Sequence, residues 1–254
     1  MVVVSVHQGE FVKIALISDI HSNTEALKTA LQYIDNAGVD KTICLGDIVG
    51  YGAEPNECCE LIRQHADISL LGNHDAAVIG VMDTDYYYEA ARDVLFWTRR
   101  ALSKENFEWL YGLPYTYRTG NLGFYHSAPI VPSGFYYVVS TSDAEKHLSV
   151  LKRLDEFSFC GHSHLTNKYV LSPITAEDAS RQEVERRAGH KWIINVGSVG
   201  QPRDRDERSC FGIFDTDSFS FEHVRLEYDI DSAAAKILES GLDRKFAQRL
   251  FAGQ

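Results

Sequence analysis

The chain has 254 residues, of which 44% are hydrophobic and 24% charged, so it can bury a sizeable core. Its net charge of −11 argues against stable binding to nucleic acid or to an anionic membrane, because both require basic patches. No apolar run is long enough for a transmembrane helix, and the first ten residues lack the features of a signal peptide. Five cysteines without a recurring spacing suit a reducing, cytoplasmic location.

The first seventy residues alternate between β-branched apolar runs and segments of helical period. We predict strands at Lys13–Ser18, Lys41–Leu45 and Ile68–Leu71, separated by helices at Asn23–Ala37 and Pro55–His65. This order favours a layered α/β fold.

A long helical segment is predicted at Tyr86–Trp109, with a break near Ser103. Its stripe of apolar and aromatic residues at helical spacing is interpreted as core, although its position after a polar motif also makes it a candidate pocket wall. The stripe consists of Tyr87, Ala90, Ala91, Val94, Leu95 and Thr98.

Beyond Pro114 the pattern changes to short strands with few helices. The predicted strands are Tyr115–Arg118, Leu122–His126, Phe157–Cys160, Asn167–Val170, Trp192–Val196, Cys210–Asp215 and Phe219–Arg225. Helices are predicted at Asp143–Leu154 and at Asp231–Phe251, the second interrupted near Gly241. The charged stretch Thr175–Gly189 is predicted to be a solvated loop or hairpin tip.

These elements favour one α/β domain over residues 1–254, with two mixed β-sheets packed face to face and helices outside. Residues 1–10 are expected to be an extra strand or a disordered leader, and 231–254 a C-terminal helix.

Five short polar motifs occur in order along the chain: SDIHSN, GDIVG, GNHD, YHS and GHSH. Each directly follows an apolar run predicted to be a strand, so its ligand-type side chains lie where a strand ends. They supply Asp19, His21, Asp47, Asn73, His74, Asp75, His126, His162 and His164.

Carboxylates, imidazoles and one amide that converge in this way suit two divalent transition metals. The pairs Asp19 with His21 and His162 with His164 are two residues apart, so in extended backbone both members reach the same side. One carboxylate, Asp47, can bridge two ions, with a water or hydroxide between them. The sequence therefore predicts a two-metal phosphoesterase.

The ordered motifs resemble those of the calcineurin-like metallophosphoesterase superfamily over most of the chain. The resemblance implies a four-layer α/β sandwich and two ions of Mn²⁺, Fe, Zn²⁺ or Ni²⁺, whose identity the donors do not fix. It implies one ion held by Asp19, His21, Asp47 and His164, and the other by Asp47, Asn73, His126 and His162. It also implies that His74 protonates the leaving group or stabilises phosphoryl oxygens, and that Asp75 orients the His74 ring.

The segment NVGSVGQPRD at Asn195–Asp204, together with SDIHSN, GDIVGYG and PNEC, is similar to the YfcE-like phosphodiesterase subgroup. Gly197, Ser198 and Gly200 are expected to form a tight turn near the metals. Arg203 is either a substrate contact or a surface ion pair with Asp204 or Asp206, and Asn73 is a second predicted substrate contact.

The substrate class is predicted partly from a difference between this chain and the protein phosphatases of the superfamily. Ser/Thr protein phosphatases of the superfamily carry an arginine in GDxVDRG and usually GNHE, whereas this chain has GDIVGYG and GNHD. We therefore predict phosphodiester hydrolysis of a small phosphoester or nucleotide. The alternatives are a phosphoprotein phosphatase, a dinucleoside polyphosphate hydrolase or, in another class, a non-catalytic metal-dependent binding module.

Aromatic residues near the motifs have two interpretations. Tyr51 either lines the pocket or packs in the core. Phe135, Tyr136 and Tyr137 either stack on a base or pack within a strand or loop. The remaining histidines match no motif and are expected to be surface or locally hydrogen-bonded residues: His7, His65, His147, His190 and His223.

Overall fold

The computed structural model describes residues 13–254, so the predicted leader lies outside the described residues. These residues form eleven strands: β1 (Lys13–Ile17), β2 (Lys41–Cys44), β3 (Ile68–Ser69), β4 (Thr116–Thr119), β5 (Leu122–Tyr125), β6 (Phe157–Cys160), β7 (Lys168–Leu171), β8 (Ala176–Asp178), β9 (Lys191–Asn195), β10 (Ser209–Asp215) and β11 (Ser220–Leu226).

The described residues also form eight α-helices: α1 (Thr24–Asn36), α2 (Pro55–His65), α3 (Asn73–Ile79), α4 (Glu89–Ala101), α5 (Lys104–Tyr111), α6 (Thr141–Glu145), α7 (Ile230–Glu239) and α8 (Arg244–Ala252). Within 13–254, none is long and apolar enough to cross a membrane.

The strands form two mixed sheets. The first has the order β11-β10-β1-β2-β3 and the second β4-β5-β6-β9-β7-β8. Strands β1, β2 and β3 are parallel, as are β5, β6 and β9, whereas β10 runs antiparallel to β1. The predicted pair of mixed sheets flanked by helices is confirmed.

Side chains alternate between the two faces of each strand and so build separate layers of core. Leu16 of β1 faces the core between the sheets, where it joins Phe124 and Phe159 of the second sheet. Its neighbours Ala15 and Ile17 face the helical layer instead, where α1, α2 and α3 pack. Helix α6 covers the outer face of the second sheet.

The helices between Tyr86 and Trp109 differ from the prediction at their start. The break falls at Ser103, whose hydroxyl accepts from the Asn106 N–H at 3.2 Å and caps α5. Helix α4, however, begins only at Glu89, so Tyr87 precedes it, although its partly buried ring still packs against the core as predicted. Ala91, Val94, Leu95 and Thr98 are buried as predicted.

Three further predictions need correction. The α-helix α6 spans Thr141–Glu145 and overlaps the predicted helix Asp143–Leu154 only at its start, and Lys146–Arg153 is 3-10 helix. The stretch Thr175–Gly189 is more than a solvated tip, because it contributes edge strand β8, paired with β7, and buries Val184. Helix α3 was missed, and it opens within GNHD.

Candidate metal centre and active-site cleft

All the polar motifs lie at the carboxyl ends of parallel strands. SDIHSN, GDIVG and GNHD follow β1, β2 and β3 of the first sheet, while YHS, GHSH and NVGSVG follow β5, β6 and β9 of the second. Because both sheets present these ends at one edge of the sandwich, the motifs meet there.

Backbone strain is concentrated in the same loops. Among the described residues, eleven non-glycine residues have a left-handed φ, and seven belong to three motif loops, which is where functional constraint stores strain. The seven are Asp19, His21, Ser22, Asp47, Tyr51, His162 and His164.

The first donor cluster consists of Asp19, His21, Asp47 and His164 and is buried. The Nε2 atoms of His21 and His164 lie 3.1 Å apart. His164 Nε2 lies 3.2 Å from Asp19 Oδ1, and His21 Nε2 lies 3.7 Å from Asp47 Oδ2. These are the four residues predicted to hold the first ion.

The second cluster shares Asp47 and adds His126 and His162. His126 Nε2 lies 3.4 Å from Asp47 Oδ2 and 3.0 Å from Asn73 Oδ1. The carbonyl oxygen of Asn73 is therefore turned toward this cluster, and the structure brings all seven predicted ligands together.

Three of the histidines have ring orientations fixed by backbone carbonyls. His21 Nδ1 lies 3.3 Å from the carbonyl oxygen of Val49, and His126 Nδ1 lies 3.1 Å from that of Leu45. His164 Nδ1 lies 2.5 Å from the carbonyl oxygen of Gln201. A donating Nδ1–H leaves each Nε2 lone pair pointing into the cluster, which is the usual outer support of a metal-binding imidazole.

Two buried polar atoms show that the donor set fits metal ions. Asp19 Oδ1 and His162 Nε2 have no hydrogen-bond partner within the described residues, and such atoms are costly unless an ion or water satisfies them. Burial opposes ionisation of Asp47, but the surrounding histidines, His126 foremost, hold the pKa of its carboxyl well below the ordinary value. Asp47 is thus a charged carboxylate at the junction of the clusters.

His74 lies beside both clusters but is not one of their donors. Its Nδ1 is buried and has no hydrogen-bond partner among residues 13–254, and the centroid of its ring lies 4.7 Å from that of His21. Its backbone N–H donates to Asp47 Oδ1 at 2.8 Å. Burial lowers the pKa of His74 to about 4.

Asp75 does not contact the ring of His74, so that prediction is wrong. Its Oδ1 accepts from the backbone N–H groups of Ile48 and Val49, both at 3.0 Å, and its Oδ2 accepts from Gly72 at 3.0 Å. A carboxylate at the start of α3 satisfies otherwise unpaired N–H groups. Asp75 therefore holds the Asp47 loop against α3.

The NVGSVG loop forms the predicted tight turn and contacts the backbone of Asp19 in the first cluster. Ser198 Oγ donates to the carbonyl oxygen of Asp19 at 2.8 Å, and the N–H of Gly200 donates to the same oxygen at 3.0 Å. Gly197 has a φ of +85°, which gives the tight turn. A Cβ at Gly200 would stand 1.7 Å from the carbonyl oxygen of Ile20, so only glycine fits there.

Arg203 has no ion pair with its acidic neighbours. Asp204 and Asp206 pair with Arg225 and Arg208 instead. The guanidinium of Arg203 lies 5.6 Å from the centroid of the Tyr51 ring and donates to Gln201 Oε1 at 3.0 Å. The surface ion-pair interpretation is therefore wrong, and Arg203 borders the centre.

A cleft of about 650 Å³ opens above the two clusters. Its lining comprises cluster residues, His74, Arg203 and many aromatic rings. The aromatic rings belong to Tyr51, Tyr86, Tyr87, Tyr88, Phe135, Tyr136 and Tyr137. Helices α4 and α5 contribute no residue to the lining of the cleft. Within the predicted pocket wall Tyr86–Trp109, only the tyrosines that precede α4 line the cleft.

Tyr87 was not predicted as a site residue. Asn73 Nδ2 donates to its hydroxyl at 2.6 Å, which fixes the amide so that Oδ1 faces the second cluster. Its sequence signal is its position just before α4, in the segment between GNHD and that helix.

The family comparison agrees with this geometry. Residues 12–218 match the model of the calcineurin-like phosphoesterase superfamily domain. The chain belongs to the calcineurin-like phosphoesterase superfamily. It is 38% identical over 245 residues to an uncharacterized protein of Methanocaldococcus jannaschii, covering 95% of this chain and 98% of that protein.

Two solved structures share the fold over almost their whole length. A metallophosphoesterase from Sphaerobacter thermophilus is 32% identical, with a TM-score of 0.78 over 96% of this chain and 100% of that one. A hypothetical protein from Pyrococcus horikoshii is 20% identical, with a TM-score of 0.76 over 95% and 98%. A YfcE phosphoesterase from E. coli is also similar, at 17% identity and a TM-score of 0.44 over 85% and 99%. The family prediction is confirmed, and the YfcE-like subgroup rests on the sequence motifs.

Proposed function

We propose that the protein is a dinuclear metal-dependent phosphodiesterase. The observation that carries the proposal is the meeting of two buried donor clusters at Asp47, directly beneath a cleft that His74 and Arg203 also line. Two bound divalent ions activate water and polarise phosphoryl oxygens. The reduced, buried cysteines fit a cytoplasmic enzyme.

The residues around the clusters have separate roles in hydrolysis. Asp19, Asp47, Asn73 and the four cluster histidines hold the ions. Arg203 contacts a nonbridging phosphoryl oxygen and thereby orients the ester. The phosphorus gains a bond to the oxygen of water and loses its bond to the ester oxygen, which leaves with the proton that the water gives up. His74 donates a hydrogen bond from its ring N–H to that departing oxygen and stabilises the charge that develops there.

A diester fits the charges of the cleft better than a monoester. A diester carries one negative charge and two organic substituents, whereas a monoester carries up to two charges. Among the described residues that line the cleft, Arg203 is the only arginine or lysine. No arginine follows Asp47 in GDIVGYG, where phosphatases of the family have one.

The test is hydrolysis of bis-p-nitrophenyl phosphate and p-nitrophenyl phosphate after metal removal and Mn²⁺ addition. We expect metal-dependent cleavage of the diester, with kcat reduced about 10²–10⁴-fold in His74→Ala. His190→Ala, which removes a histidine outside the cleft, is the matched control and should retain activity. Preference for the monoester would make the protein a phosphatase, and no turnover of either ester with both ions bound would contradict the proposal.

A further inference from the structure

The cleft is walled by aromatic rings from two chain segments, which we call the tyrosine wall: Tyr86, Tyr87, Tyr88, Tyr136 and Tyr137. Tyr86 is 84% exposed, Tyr136 60% and Tyr137 51%. Rings this exposed contribute little to the core, and contiguous exposed apolar surface beside a polar centre is typical of a binding site.

The tyrosine wall adjoins both sides of the metal centre. The Tyr137 ring stacks on His162, with centroids 4.0 Å apart and planes 19° apart. On the other side, the Tyr87 ring meets His74 edge-on at 5.3 Å. A phosphoryl group bound at the centre would therefore have its organic substituent next to these rings.

The loop that carries Tyr136 and Tyr137 is strained into place. Val131 and Phe135 have φ values of 49° and 48°, in the left-handed region that bulky residues rarely adopt. The N–H of Ala128 donates to the Tyr136 carbonyl at 3.0 Å and fixes the loop end. Phe135 is buried beneath the wall, 6.0 Å from Tyr115 between centroids. Strain of this kind persists where a functional position requires it.

The charges of the cleft limit how many phosphate groups the ligand can carry. Beyond the metal centre, Arg203 is the single permanent cation among the described lining residues. A chain of several phosphates would carry three or four negative charges past one guanidinium. The cleft therefore matches a substrate with a single phosphate and a flat aromatic group.

We infer that the tyrosine wall is a stacking subsite that selects phosphodiesters carrying an aromatic ring, such as a nucleobase, on the group retained after cleavage. This inference rests on the proposed function and specifies the substrate class of that site. It also assigns Tyr136 and Tyr137 to ligand contact rather than to packing within their loop.

The test uses two diesters with the same leaving group, methyl p-nitrophenyl phosphate and phenyl p-nitrophenyl phosphate. The measured quantity is the ratio of kcat/KM for the phenyl diester to kcat/KM for the methyl diester. The intrinsic reactivities of the two diesters do not depend on the enzyme variant, so they cancel when this ratio is compared between variants. We expect Tyr137→Leu to lower the phenyl-to-methyl ratio about 5- to 150-fold, the range of one base–aromatic stack. Tyr137→Phe, which keeps the ring, and Tyr111→Leu, an exposed tyrosine on α5, should leave the ratio unchanged. An unchanged ratio in Tyr137→Leu would overturn the inference.

A binding measurement separates this inference from the proposed function. Calorimetry on the Mn²⁺-loaded protein should show phenylphosphonate binding more tightly than methylphosphonate, with the advantage lost in Tyr137→Leu. If neither diester is cleaved but this advantage is observed, the proposed function fails and the stacking subsite stands. If both diesters are cleaved and the two phosphonates bind equally, only the inference fails.

Discussion

The backbone of Gly50 lies directly against the imidazole of His74. A Cβ at position 50 would stand 2.5 Å from His74 Nδ1, and Gly50 has a φ of +98°. The glycine in GDIVG is therefore what allows the His74 ring to reach its position beside the clusters.

Gly50→Ala should displace His74 without removing a metal ligand. We expect kcat for the diester to fall at least about tenfold, approaching the loss in His74→Ala, because the displaced ring no longer reaches the ester oxygen. Metal content should stay at the wild-type value. The matched control is Gly38→Ala, at a similar φ of +63° but with nothing within 4 Å of the added Cβ. Equal activities of the two variants would contradict the role given to His74.

Tyr87→Phe removes one hydroxyl and keeps the ring. The Asn73 amide then loses the acceptor that fixes Oδ1 toward His126, so the second ion should bind about 10- to 100-fold more weakly, as for other outer-shell partners of metal ligands. Isothermal titration with Mn²⁺ measures this. Tyr88→Phe is the control, because the Tyr88 hydroxyl accepts from Arg249 at 2.9 Å instead. A Tyr87→Phe titration identical to wild type would show that Asn73 needs no such support.

The sequence predicted the convergence of these donor side chains because their signal is local. Each donor follows a strand whose apolar run is visible in the sequence, and parallel strands bring their carboxyl ends to one edge. Asp19, Asp47 and His126 could therefore be placed without knowing the register of the sheets.

Other parts of the site carry no such signal. Helix α3 has seven residues and all are buried, so it lacks the polar face on which helical periodicity depends. Tyr87 has the spacing of the α4 stripe, yet the helix begins after it, and its partly buried ring both packs against the core and lines the cleft. The contacts of Asp75 with the backbone amides of Ile48 and Val49 depend on tertiary structure, whereas its contact with the Gly72 N–H is local to the start of α3.

The stability of the fold should depend on pH through His223 of β11. Its Nε2 donates to the carbonyl oxygen of Asn195 at 2.8 Å, and burial lowers its pKa to about 4. As pH falls below the ordinary value of 6.5, the unfolded chain takes up the proton first, so stability present above about pH 6.5 is lost toward pH 4. Between pH 7 and pH 5 this residue should lower the free energy of unfolding by about 1–2 kcal/mol.

Urea unfolding of the metal-free protein at pH 7 and pH 5 measures this effect. His223→Gln, which can keep a donor to Asn195 but does not titrate, should show a smaller pH difference than wild type. The other histidines titrate in both proteins and cancel in the comparison. Equal pH differences would mean that His223 titrates alike in the folded and unfolded chains.

The central claim is that two donor clusters sharing Asp47 hold two ions, and the amount of metal bound per chain tests it most directly. After chelation and addition of Mn²⁺, elemental analysis together with calorimetry should give two ions per chain for the wild type and for His190→Ala. His162→Ala should lose the second ion and retain the first, whereas Asp47→Ala should weaken both. A wild-type protein that binds a single ion, or a His162→Ala variant that still binds two with unchanged affinity, would contradict the account.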